Sequence, residues 1–206
     1  LAAVSVTDEY PEANLRHYTF MLEGLKETQA TLAERGIQLL VLHGHPEKTL
    51  PPLQAGADIL VTDEGYLRVQ EAWREAVTEQ AACAVHEVTT NLIVPVETAA
   101  EKENFSAGTL RPRITKHFDT YLVSLRHMKP KKASLAIPLP TDCRPLDLSD
   151  MEAALATLSI DRSVKPSPFF TGGTSRARKR LRHFIKHKLG TMPSGATIRT
   201  RTASRT

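Results

Sequence analysis

Short apolar runs alternate, over roughly the first ninety residues, with longer stretches whose apolar positions recur every three or four residues. Leu1–Thr7 (LAAVSVT) is apolar and β-branched, the length of a buried strand, and Asp8–Pro11 breaks it. From Ala13 to Arg35 the residues Leu15, Tyr18, Met21, Leu22, Leu25 and Leu32 fall at helical spacing. Gly36 then stands where a helix end favours positive φ. Ile37–Leu42 predicts a second buried strand, and Pro46 suits the first turn of a short helix that must end by Pro51. Ala57–Val61 and Ala84–Val88 read as two further strands, with a helix from about Tyr66 to Gln80 between them. Strands separated by helices pair in parallel, so the predicted class is α/β. The strands are mostly apolar runs rather than alternating ones, with Asp58 and His86 among the exceptions, the pattern of a sheet covered on both faces.

Beyond Val96 the pattern changes. Arg111–Leu125 places Ile114, Phe118, Tyr121, Leu122 and Leu125 on one face of a predicted amphipathic helix. Met128–Leu146 holds four prolines and no periodicity, and reads as a linker. A short helix is expected from Ser149 to about Leu158, with Ser149 and Glu152 at capping-box spacing. The last helix, Ser175–Leu189, is expected to bury Ala177, Leu181, Phe184, Ile185 and Leu189, and Gly190 to stop it.

With 41% hydrophobic and 24% charged residues in 206, the composition is that of a globular protein. No apolar run is long enough to span a bilayer, and no basic segment followed by an apolar one opens the chain. Cys83 and Cys143 are isolated thiols without metal-ligand spacing, which points to a reducing, cytoplasmic setting.

Charge divides the chain. Residues 172–206 carry ten Lys+Arg and no Asp or Glu, while residues 1–171 carry seventeen Lys+Arg against twenty-three Asp+Glu. Arg176, Arg178, Lys179, Arg180, Arg182, Lys186 and Lys188 all lie on the last predicted helix. They form either a nucleic-acid contact or a solvated charged face.

Ligands of parallel sheets bind beyond the carboxyl ends of the strands, here near Thr7–Tyr10, His43–Pro46, Thr62–Tyr66 and Thr89–Asn91. No glycine-rich phosphate fingerprint follows any strand. His43 and His45 bracket Gly44 but lack a third metal ligand at a telling distance. Asp63 and Glu64 read either as an acid/base pair or as acids complementing a helix dipole. Trp73, beside Arg74 in a helix, reads as a packing residue.

Several separated motifs resemble one family. YPEANLRHYTFMLEGL at Tyr10–Leu25, TDEGYLR at Thr62–Arg68 followed by Trp73-Arg74, VPVE at Val94–Glu97 and EKENFSAGTLRPRI at Glu101–Ile114 resemble class II DNA photolyases. So do IDRSV at Ile160–Val164, Pro168–Phe170 and Gly172–Ser175, giving a match over roughly 1–127 and 147–190. The resemblance implies a Rossmann-like, parallel-sheet antenna domain at 1–127, without its first strand and helix. It further implies an interdomain linker with a short helix at 128–174 and the first helix of an all-α flavin domain at 175–190.

In the intact family an antenna deazaflavin or folate passes light energy to FAD. Reduced FAD then donates an electron that splits a cyclobutane pyrimidine dimer in damaged DNA. The resemblance assigns no catalytic or flavin-binding residue to this chain, no membrane and no specific protein partner. The chain is expected to be inactive alone. It also implies that loss of the first strand leaves a gap between the Leu1–Thr7 and Ala57–Val61 strands. The basic tail 191–206 departs from the family, and a shifted reading frame would restore the family's continuation, so it is expected to be a frameshift product. A nucleic-acid-binding protein using the basic C-terminal segment is the alternative.

Overall fold

The computed structural model describes residues 1–125 and 128–191. The tail expected to be frameshifted therefore lies, apart from Thr191, outside the described residues, as does the 127/128 boundary of the expected antenna domain.

In chain order the elements are β1 (Ala2–Val6), α1 (Leu15–Glu34), β2 (Leu39–His43), α2 (Pro46–Thr49), α3 (Pro51–Gln54) and β3 (Ile59–Asp63). There follow α4 (Arg68–Glu79), β4 (Ala84–Val88), α5 (Val96–Ala99), α6 (Ala107–Thr115), α7 (Phe118–Tyr121), α8 (Met151–Ala156) and α9 (Thr174–His187). Both strand pairs are parallel: β1 with β2 in register Ala2 to Leu39, and β3 with β4 in register Ile59 to Ala84. The class is α/β, as the periodicity predicts.

α1 is bounded by chemistry that its sequence carries. Asn14 caps its start, accepting from the Arg16 amide, while His17 Nδ1 accepts from the Asn14 amide. Gly36, at φ 77°, turns the chain out of the helix, and its amide bonds back to Ala33. Tyr18 and Leu22 face inward from α1 onto Val6 and Val41. β2 is buried along four of its five residues.

Leu148, Ala154 and Leu158 complete this core, so the segment expected as linker is not a spacer throughout its length. Leu146 donates its amide to Val41, and Pro145 bridges Leu42 antiparallel, covering the outer edge of β2. A run without periodicity can still dock, because its backbone supplies the hydrogen bonds and single side chains fill the core.

Several expectations are corrected. The four strands form two separate two-stranded sheets among the described residues, with β1 and β3 unpaired to each other, as the implied gap between these two strands requires. It is the burial of the strands that differs. Alternate residues of β3 are exposed, with Ile59 at 49% and Val61 at 56%, so its apolar run does not signify burial on both faces. The predicted helix 111–125 is instead α6 and α7, parted at Lys116–His117, with Pro112 inside α6 removing an amide donor. Leu125 is 90% exposed.

α8 is capped by Asp150, which accepts from the Ala153 amide; Ser149 donates its own amide to Asp147. α9 ends at His187, before Gly190, and buries none of the five apolar residues expected to be inside. Leu181, Ile185 and Leu189 are about half exposed.

Candidate functional site

Two cavities open at the carboxyl ends of the strands, where parallel topology gathers the loop residues. The first, about 350 Å³, is walled by Val6, Thr7, Tyr10, Tyr18, Met21 and Trp73. The second, about 240 Å³, is lined by Thr62, Asp63, Gly65, Arg74, Val77 and Asn91. Gln70 and Trp73 of α4 line both and form the partition between them.

Trp73 is the hub. The Tyr10 ring lies 6.2 Å from it, tilted 48°, and the His45 ring meets it edge-on at 6.2 Å. Tyr10 comes from the loop after β1, His45 from the loop after β2 and Trp73 from the helix after β3. Two sequence-distant rings thus pack against Trp73, and Tyr10 and Trp73 both line the first cavity. Beneath them the buried Tyr18 hydroxyl donates to the Thr7 carbonyl at 2.5 Å, tying α1 to the end of β1. Burial pushes the Tyr18 phenol above its ordinary value, so it stays a neutral donor.

The rim is acidic. His43 Nε2 donates to Asp8 at 2.9 Å. His45 lies between Glu9 at 3.4 Å and Glu47 at 3.7 Å, one carboxylate on each ring nitrogen. These histidines therefore have carboxylate partners, and no group of three or more His, Cys, Asp or Glu side chains suited to a metal occurs among the described residues.

Neither Asp63 nor Glu64 lies in the first turn of α4, whose N-cap is Leu67 and whose acid there is Glu71. They bind the end of β3 to the segment after β4 instead. Asp63 accepts from the Thr90 amide at 3.1 Å, the Thr90 hydroxyl at 2.6 Å and the Asn91 side-chain amide at 2.9 Å. Glu64 accepts from the hydroxyls of Thr89 and Tyr66. These bonds, Thr89's first, hold the Glu64 carboxyl below its ordinary range. Arg74 donates to Glu87 at 2.5 Å and to the Gly65 carbonyl at 3.1 Å.

The loops expected to carry a site are thus brought together, and Trp73, expected to pack, packs against the rings of Tyr10 and His45. Their position after successive strands was the available signal.

The basic side chains lie elsewhere. Arg176, Arg178, Lys179, Arg180, Arg182, Lys186 and Lys188 are all exposed on α9 and its C-cap, and none forms an ion pair among the described residues. Arg180 stands 4.3 Å above the Phe170 ring and donates to the Phe169 carbonyl. Phe169 is 79% exposed.

A family model for DNA photolyase matches residues 1–134. The deoxyribodipyrimidine photo-lyase of Methanothermobacter thermautotrophicus is 38% identical over 194 residues, covering 92% of this chain and 40% of that protein. Among solved structures, the fold is similar to that of the Synechocystis sp. PCC6803 cryptochrome, with TM-score 0.63, 14% identity, and coverage of 90% of this chain and 40% of that one. It is also similar to the archaeal photolyase from Sulfolobus tokodaii with two FAD molecules, at TM-score 0.57 and 15% identity over 91% of this chain and 40% of that one. The chain spans 40% of the length of the Methanothermobacter relative.

Proposed function

Because the chain belongs to the DNA photolyase family, we propose that it is the pigment-holding part of a class II photolyase together with the opening of its flavin domain. Photolyases of this family split pyrimidine dimers in damaged DNA by electron transfer from reduced FAD. The contribution proposed for this chain is to hold a planar light-absorbing pigment, a deazaflavin or a folate, at the Trp73 cavities. One observation carries this reading: Tyr10 and Trp73, from different βα units, wall an apolar cavity at the strand ends, with His45 packed edge-on against Trp73. An aromatic wall favours a flat conjugated ring through stacking and edge contacts.

FAD itself does not fit these cavities. Its diphosphate needs free backbone or cationic donors. Arg74, the cation lining the second cavity among the described residues, is already held by Glu87 and Gly65. No step of the flavin chemistry is therefore assigned to these residues. The open edges of β1 and β3 are read as flanking the position of the family's first strand, which would join the two sheets.

Two assays test this reading. Adding a deazaflavin to the purified chain is expected to quench the emission of Trp73, the single tryptophan. Under blue light the same sample is expected to leave a dimer-containing oligonucleotide unrepaired. Absence of quenching, or repair by this chain alone, overturns the assignment.

A second reading rests on α9. Seven exposed cations, with Arg180 over Phe170 and Phe169 beside it, make a surface suited to phosphate and base contact. On this reading α9 adds a non-specific attraction for nucleic acid.

A further inference from the structure

We infer that His183 and His187 form a two-imidazole site for a divalent transition metal of the nickel, copper or zinc kind, on the outer face of α9. The site is separate from the Trp73 cavities and shares no residue with them.

Four residues apart on one helix, the two side chains project from the same face, one turn above the other. Their ring centroids lie 4.7 Å apart, with the planes at 40° to each other. Two imidazoles whose nitrogens stand about 2.0–2.1 Å from one zinc ion have centroids roughly 4.5–5 Å apart. The rings are therefore already spaced for a shared ion. The same i, i+4 pairing supplies two of the ligands in helical zinc sites. Water fills the remaining positions here, since residues 172–206 contain no Asp or Glu.

The pair is free to bind. His43 and His45 are engaged by carboxylates, whereas His183 and His187 are exposed and form no ion pair among the described residues. At 100° per residue they stand opposite Leu181 and Ile185. The apolar stripe can thus be covered while the histidines stay at the surface. His187 is also the last residue of α9, and Lys188 its C-cap. An ion bridging the two rings closes the final turn, the part of a helix most prone to fray.

Charge sets which ions are accepted. The seven cations of α9 and its C-cap repel any divalent ion, so attraction at a distance does not hold it there. Only bonds to nitrogen can do so, which favours nickel, copper and zinc over magnesium, an ion that prefers oxygen. Salt screens the repulsion and strengthens binding, the reverse of a site built from acids.

Ni2+, Zn2+ and Mg2+ are added in turn to the complete chain. Binding is followed by calorimetry, and hydrogen exchange is read at the amides from His183 to Lys188. At about ten times their Kd, Ni2+ and Zn2+ are expected to slow that exchange about tenfold, as mass action gives, and Mg2+ to leave it unchanged. His183→Gln and His187→Gln are each expected to abolish the slowing, since Gln forms helix at least as well as His. His86→Gln should retain it. Affinity is expected to rise with inert salt. Equal slowing by Mg2+, slowing that survives either α9 substitution, or affinity that falls with salt overturns the inference. Should a variant lose helicity, the contrast between Ni2+ and Mg2+ on the unaltered chain still decides.

Discussion

The Glu27 carboxylate of α1 accepts both the amide of Ser175, at 2.6 Å, and its hydroxyl, at 2.7 Å, across 148 residues of sequence. One turn away, Glu23 accepts the Gly172 amide at 2.6 Å. Two acids of one helix thus satisfy donors at the start of another, where amides lack intrahelical partners and the dipole favours negative charge. No residue within α9 or its N-cap performs that task, since Gly173 has no side chain to cap with.

Glu27→Gln is expected to loosen the first turn of α9, seen as faster hydrogen exchange at the amides near Ser175. The unaltered chain should do the same in acid. The Ser175 bonds hold the Glu27 carboxyl below its ordinary 4.5. Its contribution is therefore complete above that value and is lost as pH falls through the lower, folded one. Unchanged exchange across this range would remove Glu27 from the docking.

Gly172→Ala is expected to destabilise by about 1–3 kcal/mol, measured by denaturant melting. A Cβ there would meet the Phe20 carbonyl oxygen at 2.0 Å and the Gly24 amide nitrogen at 2.9 Å. Both are backbone atoms of α1, so the clash cannot be relieved by a side-chain rotation. Gly190→Ala, with open space around the same atom, should leave the melt unchanged.

Leu148→Ala is expected to cost about 2–5 kcal/mol in the same assay. Leu148 is 2% exposed and packs with Leu22, Val41 and Leu158. Leu135→Ala, at a site 49% exposed, should cost far less. Equal effects would mean that the segment after residue 128 merely covers the core.

For the basic helix, replacing Arg176, Lys179 and Lys186 by Gln is expected to weaken single-stranded DNA binding at low salt. The slope of log affinity on log salt should fall by up to about 0.7 for each lost phosphate contact. Leu181→Gln, on the apolar face, should leave that slope alone.

Much of the fold was legible because it is local. Gly36 at the end of α1 and Pro46 at the start of α2 specify their own backbone, and the spacing from Leu15 to Leu25 describes one helix face. The errors fell where identical local signals have two tertiary outcomes. Ile59-Leu60-Val61 has the apolar character of the buried β2, yet alternates between exposed and half-buried because one face of β3 is left uncovered. The apolar stripe of α9 is a true periodicity, but amphipathicity states a requirement for a partner and does not supply one.

The candidate site divides along the same line. Sequence alone determined that loops after parallel strands would meet, that acids outnumber bases before residue 172, and that the motifs are those of a photolyase. Only the tertiary structure decided that Tyr10 and His45 both pack against Trp73, that Arg74 is consumed by Glu87, and that Asp63 and Glu64 tie two strand ends together. Each of these is a relation between residues from different βα units. Such relations depend on how the units pack against one another, which no local propensity along the chain encodes.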